Sequence, residues 1–423
     1  MLWLTRKMRG IPASQRIPLP ARWILASVLV SNIGNGMNTL TVSMLLYVKT
    51  GSAAAFGASI ILQYVVTFLV QVFAGSIVDR GDPKKVAVYC DLLRGVGVCA
   101  ASLMLNTPYV YWCVFGSIIL INALRPFYRS ATFVVGPLVA PGPALVKYNA
   151  YCGSLLQSGQ LMGVALVGII LQRFGSGFAL GLDGVSYLLS GLAIWMASIP
   201  MIDQERKASQ SKGIEGFLHD WKEILQLLRS NLALSCHVVL CCADYIAVSC
   251  VNLLLVPIVA VWYSGNTYWL SALDGGFAAG SILAGLITAQ VISKLGTRTT
   301  TVFGLTGQSI LFLSLSLIHI SYIAILFMFL IGCCNTFSIT AFTSGLQHRT
   351  DRSIQGRIAG VRYLLLSILT SAVVPVVSFM QNLSLEKGLF TVAGICITFS
   401  LATLLLSSRH LLGYTLFGTS DKS

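Results

Sequence analysis

Charge is what this chain lacks most. Asp, Glu, Lys and Arg together make up only 10% of its 423 residues, and just 14 of these are acids. A soluble domain carries about a quarter of its residues as charged side chains, so a water-facing surface of ordinary size is excluded. Catalytic signatures are missing too. There is no His-Glu-x-x-His run, no phosphate-cradling glycine loop, no His and Asp pair near a membrane surface and no appended polar domain, which together disfavour an enzyme. The opening run Met1 to Gly10 lacks the signal-peptide order of basic head, apolar core and small cleavage site, so the first helix is expected to be retained.

Apolar length is what the chain has in abundance. Hydrophobic residues make up 56% of it, and the mean hydropathy is +0.81. A helix needs about 20 mostly apolar residues to cross a bilayer, whose interior forces every backbone hydrogen bond to close internally. Apolar runs between charged breaks give twelve spans, near 22–47, 56–78, 86–106, 108–130, 146–172, 176–200, 231–262, 267–292, 299–318, 321–346, 357–382 and 386–407. The expected fold class is therefore all-α, a polytopic membrane protein with twelve transmembrane helices in two pseudo-symmetric six-helix bundles.

Short basic loops stay on the cytoplasmic side. With the N-terminus inside, only Lys49, Arg173 and Lys387 of the 28 Lys and Arg fall outside, so both termini are expected to be cytoplasmic. The net charge of +14 then reads as topology and contact with anionic membrane lipid, with no nucleic-acid partner. Trp23, Trp112, Trp195, Trp262 and Trp269 fall near span ends, where amphipathic rings belong. Most of the 11 Cys lie inside spans and act there as small apolar residues. His237 and Cys241, at i and i+4 with Cys242 beside them, are the best metal candidates, but they lack convergent third and fourth ligands. No metal and no cofactor is expected.

Residues 1–200 are expected to form an N-terminal six-helix bundle, 201–230 a cytoplasmic connector, and 231–423 a C-terminal six-helix bundle with a short cytoplasmic tail. In the connector, Phe217, Leu218, Trp221, Ile224, Leu225 and Leu228 share one helical face, predicting an amphipathic tether on the inner membrane surface. A weak repeat relates the halves. Asp79 to Lys84 corresponds to Ser293 to Arg298, Lys147 to Arg357, and Asn122 to Asn335. Two facing halves with a midplane site are the architecture such a repeat predicts.

The most informative segment is the charged loop between spans 2 and 3, Gly75-Ser-Ile-Val-Asp79-Arg80-Gly81-Asp82-Pro83-Lys84-Lys85. It resembles the Gly-x-x-x-Asp-Arg-x-Gly-Arg-Lys signature of the major facilitator superfamily, with Gly75, Asp79, Arg80 and Lys84 in register and Asp82-Pro83 departing from it. Leu145-Val-Lys147-Tyr-Asn149-Ala, Phe178-Ala-Leu-Gly-Leu-Asp183-Gly-Val-Ser186-Tyr and Gln355-Gly356-Arg357-Ile-Ala-Gly are similar to the branch of macrolide-efflux proteins and enterobactin-type siderophore exporters. Lysophospholipid flippases share part of this pattern. Physically, an acid at the end of span 2 can pair with a cation or cap a neighbouring helix in one of two rocking states. Gly75, Asp79, Arg80 and Lys84 are thus expected to act as a conformational latch.

Polar residues inside spans are costly, roughly 2.5–3.5 kcal/mol for an Asp or Arg at a helix centre. Asp244 is the deepest acid and the first candidate for proton coupling, with Asp274 and Asp183 as further candidates or structural groups. Asp91 and Arg94, at i and i+3, are expected to pair. Asn32, Asn35 and Asn38 form a polar stripe on span 1. In the superfamily, spans 1, 4, 7 and 10 line the central cavity, which makes Asn35, Asn38, Asn122, Arg125, Asn252 and Asn335 the expected substrate-cavity residues. Arg125 is either an anion-attracting group or a topology charge. Gly159 and Gly163 on span 5 form a close-packing pattern.

The resemblance implies a monomeric, proton-coupled secondary active exporter of the inner membrane. Its partners would be protons and an amphipathic organic small molecule, siderophore or drug-like, moved by alternating access. A lysophospholipid flippase of the same superfamily, or an importer of a siderophore-like solute, is the alternative.

Overall fold

The computed structural model describes residues 17–50, 53–105, 107–199, 213–264, 267–318 and 320–407. The terminal basic residues used for topology, from Arg6 to Arg16 and at Arg409 and Lys422, and connector residues 201–212 fall outside them. The described residues form twelve helices and no strand. They are α1 (Leu19–Thr50), α2 (Ala53–Arg80), α3 (Pro83–Leu103), α4 (Val110–Val139), α5 (Ala144–Met196), α6 (Gly213–Ser230), α7 (Leu232–Leu240), α8 (Ala243–Trp262), α9 (Thr267–Leu317), α10 (Ser321–Arg349), α11 (Gln355–Leu383) and α12 (Leu385–Leu406).

Helices and spans are not one to one. Each of α5 and α9 carries two spans joined at a glycine with a positive φ, Gly175 (φ 79°) and Gly296 (φ 78°), a conformation costly to any residue with a Cβ. Span 7, expected as one helix over 231–262, is divided into α7 and α8. At Cys241 and Cys242 the backbone stays right-handed but tightens, with the Cys242 N–H reaching the Val239 carbonyl three residues back. The twelve-span count survives, because α7 and α8 together make one crossing.

Local chemistry sets the boundaries. Asp82 caps α3, accepting from the Lys84 and Lys85 backbone N–H groups at 2.9 and 3.4 Å, with Pro83 at the first helical position. The two residues that depart from the superfamily signature thus form the start of α3. Ser384 caps α12 in the same way.

Within the N-terminal half, α5 packs along α1 and α3. Gly159 and Gly163 lie directly on the α1 backbone at Leu29, Ile33 and Gly36, where a Cβ would collide with main-chain atoms. Within the C-terminal half, α9 packs on α10 and α12, and Ile246, Leu254, Phe312, Met328 and Leu389 are among the side chains of its apolar core. The halves meet where α2 packs on α11, α4 on α11, and α5 on α9 and α10.

Those meetings are one-sided. Among the described side chains of α2, burial begins at Gln71 and continues toward Asp79, while residues 62, 63 and 65–70 are partly or fully exposed. On α11, Gln355 to Arg362 are all buried, and beyond them only Val377 is. The halves are closed at the end that carries the basic loops (the basic end) and part toward the other.

Candidate functional site

Asp79 ends α2 facing the first turn of α11. Its carboxylate accepts the Gly356 N–H at 2.7 Å and the Arg357 N–H at 2.8 Å, and the Arg357 Nε at 3.3 Å. An anion here meets both orphan amides and the positive pole of the helix, so one side chain caps α11 and forms an ion pair across the two halves. Close approach makes this possible: a Cβ on Gly75 would strike the Gly356 carbonyl and the Arg357 Cα, and one on Gly356 would strike the Asp79 carboxylate.

The connector helix α6 closes the arrangement from below. Arg80 donates to Asp220 from Nε at 2.8 Å and pairs through Nη2 at 2.7 Å, and the Ser76 hydroxyl donates to the same oxygen. Arg357 reaches Glu223 at 2.7 Å and Asp220 at 3.5 Å. Asp220 therefore joins a cation from each half. Trp221, Ile224 and Leu228 pack against the basic end of the C-terminal half, so this part of the predicted lipid-facing stripe lies on protein, while Leu225 is exposed. Phe217 and Leu218 lie among the side chains outside the description. His219, Asp220 and Glu223 cluster with ligand atoms within 4.8 Å, but Arg80 and Arg357 already hold both acids. Lys84 contributes its backbone N–H to the α3 cap.

Further bridges cross deeper. Asn149 donates to Gln347 at 2.6 Å and to Ser344 at 2.9 Å, and Gln347 donates onward to the Phe133 carbonyl at 2.9 Å. The Ser154 hydroxyl faces the Ser281 and Ile282 carbonyls at 3.3 and 3.4 Å.

Each half also holds a buried polar centre. In the C-terminal half, Asp244 Oδ1 accepts from Ser338 at 2.5 Å, Gln308 at 2.9 Å and Asn335 at 3.5 Å, while Oδ2 has no hydrogen-bond partner. In the N-terminal half, Asp183 Oδ2 accepts from Asn38 at 2.6 Å and Oδ1 has no partner; Tyr187 donates to Asn35 at 2.7 Å. Asp91 pairs with Arg94 and accepts from Ser190 at 2.6 Å, and the Arg94 guanidinium lies 4.6 Å from the ring centres of both Tyr128 and Tyr187. Arg125, half-buried on α4, is within electrostatic reach of Asp183.

Two expected cavity residues are packed inside their halves. Asn122 is buried and spends its amide on the Ile118 carbonyl of its own helix at 2.8 Å. Asn335 is buried against Asp244 and Gln308, where its side-chain NH2 donates to the Asp244 carbonyl and to the Gln308 Oε1, each at 3.2 Å. Asn252 and Asp274 are exposed and join neither centre. His237 is occupied by the Phe342 carbonyl at 3.0 Å. Composition and spacing did not reveal Asp220, Glu223, Gln308 or Gln347 as site residues. Their partners are distant in sequence, and only the opposed charges on α6 and beside the span 2–3 loop offered a signal.

Two six-span halves packed face to face, bridged by charge at one end and parting at the other, are the architecture of two-bundle membrane transporters. The profile of the Major Facilitator Superfamily matches residues 24–375, and the chain belongs to that superfamily. It is an integral membrane transporter and not an enzyme. It is 22% identical to macrolide efflux protein A of Streptococcus pyogenes over 269 residues, 62% of this chain and 64% of that protein. The chain thus spans less than two thirds of that relative's length. In fold it is similar to the human organic anion transporter MFSD10 (TM-score 0.72, 15% identity, covering 93% of this chain and 100% of that one). It is also similar to a bacterial homologue of the iron transporter ferroportin in an outward-facing state (TM-score 0.68, 13% identity, covering 92% and 100%).

Proposed function

We propose that this protein is a proton-coupled exporter of an amphipathic organic small molecule, siderophore or drug-like, in a bacterial inner membrane with its basic end in the cytoplasm. The observation that carries the reading is the Asp79 cap on α11 together with its Asp220 and Glu223 supports. These contacts join the halves at one end only, and they must break when the cytoplasmic side opens. Gly75, Asp79 and Arg80 are the latch, Asp220 and Arg357 complete it, and Lys84 serves the adjoining α3 cap.

Similarity to a macrolide efflux protein supports outward transport. Asp244 is the leading coupling group, since one carboxylate oxygen is held by three side chains while the other is without a partner. One charge crossing 100 mV supplies about 2.3 kcal/mol, enough for more than a tenfold concentration ratio. Untargeted metabolite profiling of cells and medium, comparing a deletion strain with its parent under iron starvation, tests the reading. A compound retained in mutant cells and depleted outside supports export. Identical profiles together with unchanged macrolide resistance refute it.

A further inference from the structure

Arg362 stands on α11 seven residues past the helix start, about 10 Å into the bundle at 1.5 Å per residue. It is 2% exposed, and neither its Nε nor its Nη1 has a hydrogen-bond partner. Among the described residues no acid pairs with it. Its guanidinium lies instead among three aromatic rings, 4.9 Å from the centre of Phe133, 5.6 Å from Tyr245 and 4.7 Å from Tyr363. Arg129 on α4 shares the Tyr363 ring at 5.4 Å and is itself exposed. A buried cation is normally paired with an acid, and here the structure holds a second cation beside it.

Position gives this surplus a use. Phe133 belongs to the N-terminal half, and Arg362, Tyr245 and Tyr363 to the C-terminal half, so the cage is assembled across the surfaces that separate during transport. Arg362 is the last residue of the closed stretch of α11, and the partly exposed run from Tyr363 to Ser367 begins where it ends. The guanidinium is therefore buried directly beneath the level at which the halves begin to part, where separation of the halves would uncover it. Rings that hold a cation by their faces leave its N–H edge for an acceptor, and Arg presents that edge as a planar fork suited to two oxygens.

We propose that Arg362, caged by Phe133, Tyr245 and Tyr363 and backed by Arg129, anchors a carboxylate or phosphate group on the transported molecule. This rests on the transporter reading only in placing the site between moving halves, and it names the substrate as an organic anion. The anionic head belongs either to a water-soluble molecule or to a lysolipid.

The test uses purified full-length protein in neutral-lipid nanodiscs, with apparent Kd read from ligand-dependent thermal unfolding. The soluble probes are phenyl phosphate and phenylacetate against the uncharged phenylacetamide; the lipid probes are lysophosphatidate against monoacylglycerol. The expected result is stabilisation by at least one anion and not by its neutral counterpart, with affinity at least tenfold weaker in Arg362→Gln and partly kept in Arg362→Lys. Discrimination confined to the lysolipid pair assigns the anion to a headgroup. Should Arg362→Gln fail to fold, Arg129→Gln, which alters an exposed side chain, is expected to weaken anion binding at least threefold. Equal stabilisation by anions and neutral counterparts overturns the proposal, as does wild-type anion affinity in a folded Arg362→Gln. Export is scored separately: anion binding with no change in the deletion strain's metabolites keeps this site and removes the export reading.

Discussion

Replacing Asp79 by Asn tests the closure of the basic end where its geometry is most explicit. The side chains of Asp79 and Arg357 are only 2% and 6% exposed, so solvent screens the pair little. The carboxylate accepts three hydrogen bonds, two from the orphan amides of α11. Hydrogen bonds to a charged acceptor contribute about 1.5–3 kcal/mol each. An Asn retains one acceptor oxygen, enough for the Gly356 N–H, but turns an NH2 toward the Arg357 N–H and removes the charge opposite the helix pole. The expected net loss to the closed state is roughly 2–3 kcal/mol, a shift of about 30- to 150-fold toward opening at 1.4 kcal/mol per tenfold. Hydrogen exchange reads this directly, because the two amides are themselves the latch donors. The peptide spanning Gln355 to Arg357 should exchange about 30- to 150-fold faster in Asp79→Asn. Asp82→Asn, which touches only the α3 cap, should leave that peptide unchanged. Unaltered exchange at Gly356 and Arg357 in a folded Asp79→Asn protein would refute the reasoning.

Other perturbations separate the parts of the account. Gly75→Ala places a methyl against the Gly356 carbonyl and the Arg357 Cα, so faster exchange at the same peptide and at least a tenfold loss of transport are expected, with little change in melting of the isolated halves' cores. Asp220→Ala removes the 5% exposed acid that Arg80 pairs with at 2.7 Å, while Arg357 keeps Asp79 and Glu223, and should destabilise by about 2–3 kcal/mol in denaturant unfolding; Glu223→Gln, at a group 53% exposed, should cost under about 1 kcal/mol. Asp244→Asn should fold, because an amide can still accept from Gln308 and Ser338, and should transport down a gradient while losing its dependence on external pH. Unchanged pH dependence in that variant would end the coupling role of Asp244.

The sequence is most legible where a single physical rule acts over many residues. Bilayer thickness and backbone satisfaction give the spans, and even the joins at Gly175 and Gly296 fall in predicted breaks, because a positive φ there demands glycine. The signature loop was readable as a cation-pairing or helix-capping device, since an acid is not needed for topology. Its partners were not readable. That Asp79 meets Arg357, 278 residues away, depends on how two bundles dock, and local pattern carries no such information. The polar stripe of span 1 indicated a buried face but not its neighbour, which is Asp183 on α5. The partners of Asn122 and Asn335 were unreadable for the same reason. A polar residue inside a span needs a partner, and an Ile118 carbonyl or a Gln308 side chain satisfies an amide as well as a substrate does. Arg362 was read as one more inner-side positive charge, and only packing exposes that no acid among the described residues pairs with it.

The most direct test of the central claim follows the compound identified by metabolite profiling into everted membrane vesicles containing the wild-type protein. On energisation, which acidifies the vesicle lumen, the compound should accumulate, and a protonophore should abolish the accumulation within the same experiment. Accumulation that survives the protonophore, or that occurs only in right-side-out vesicles, would contradict proton-driven export.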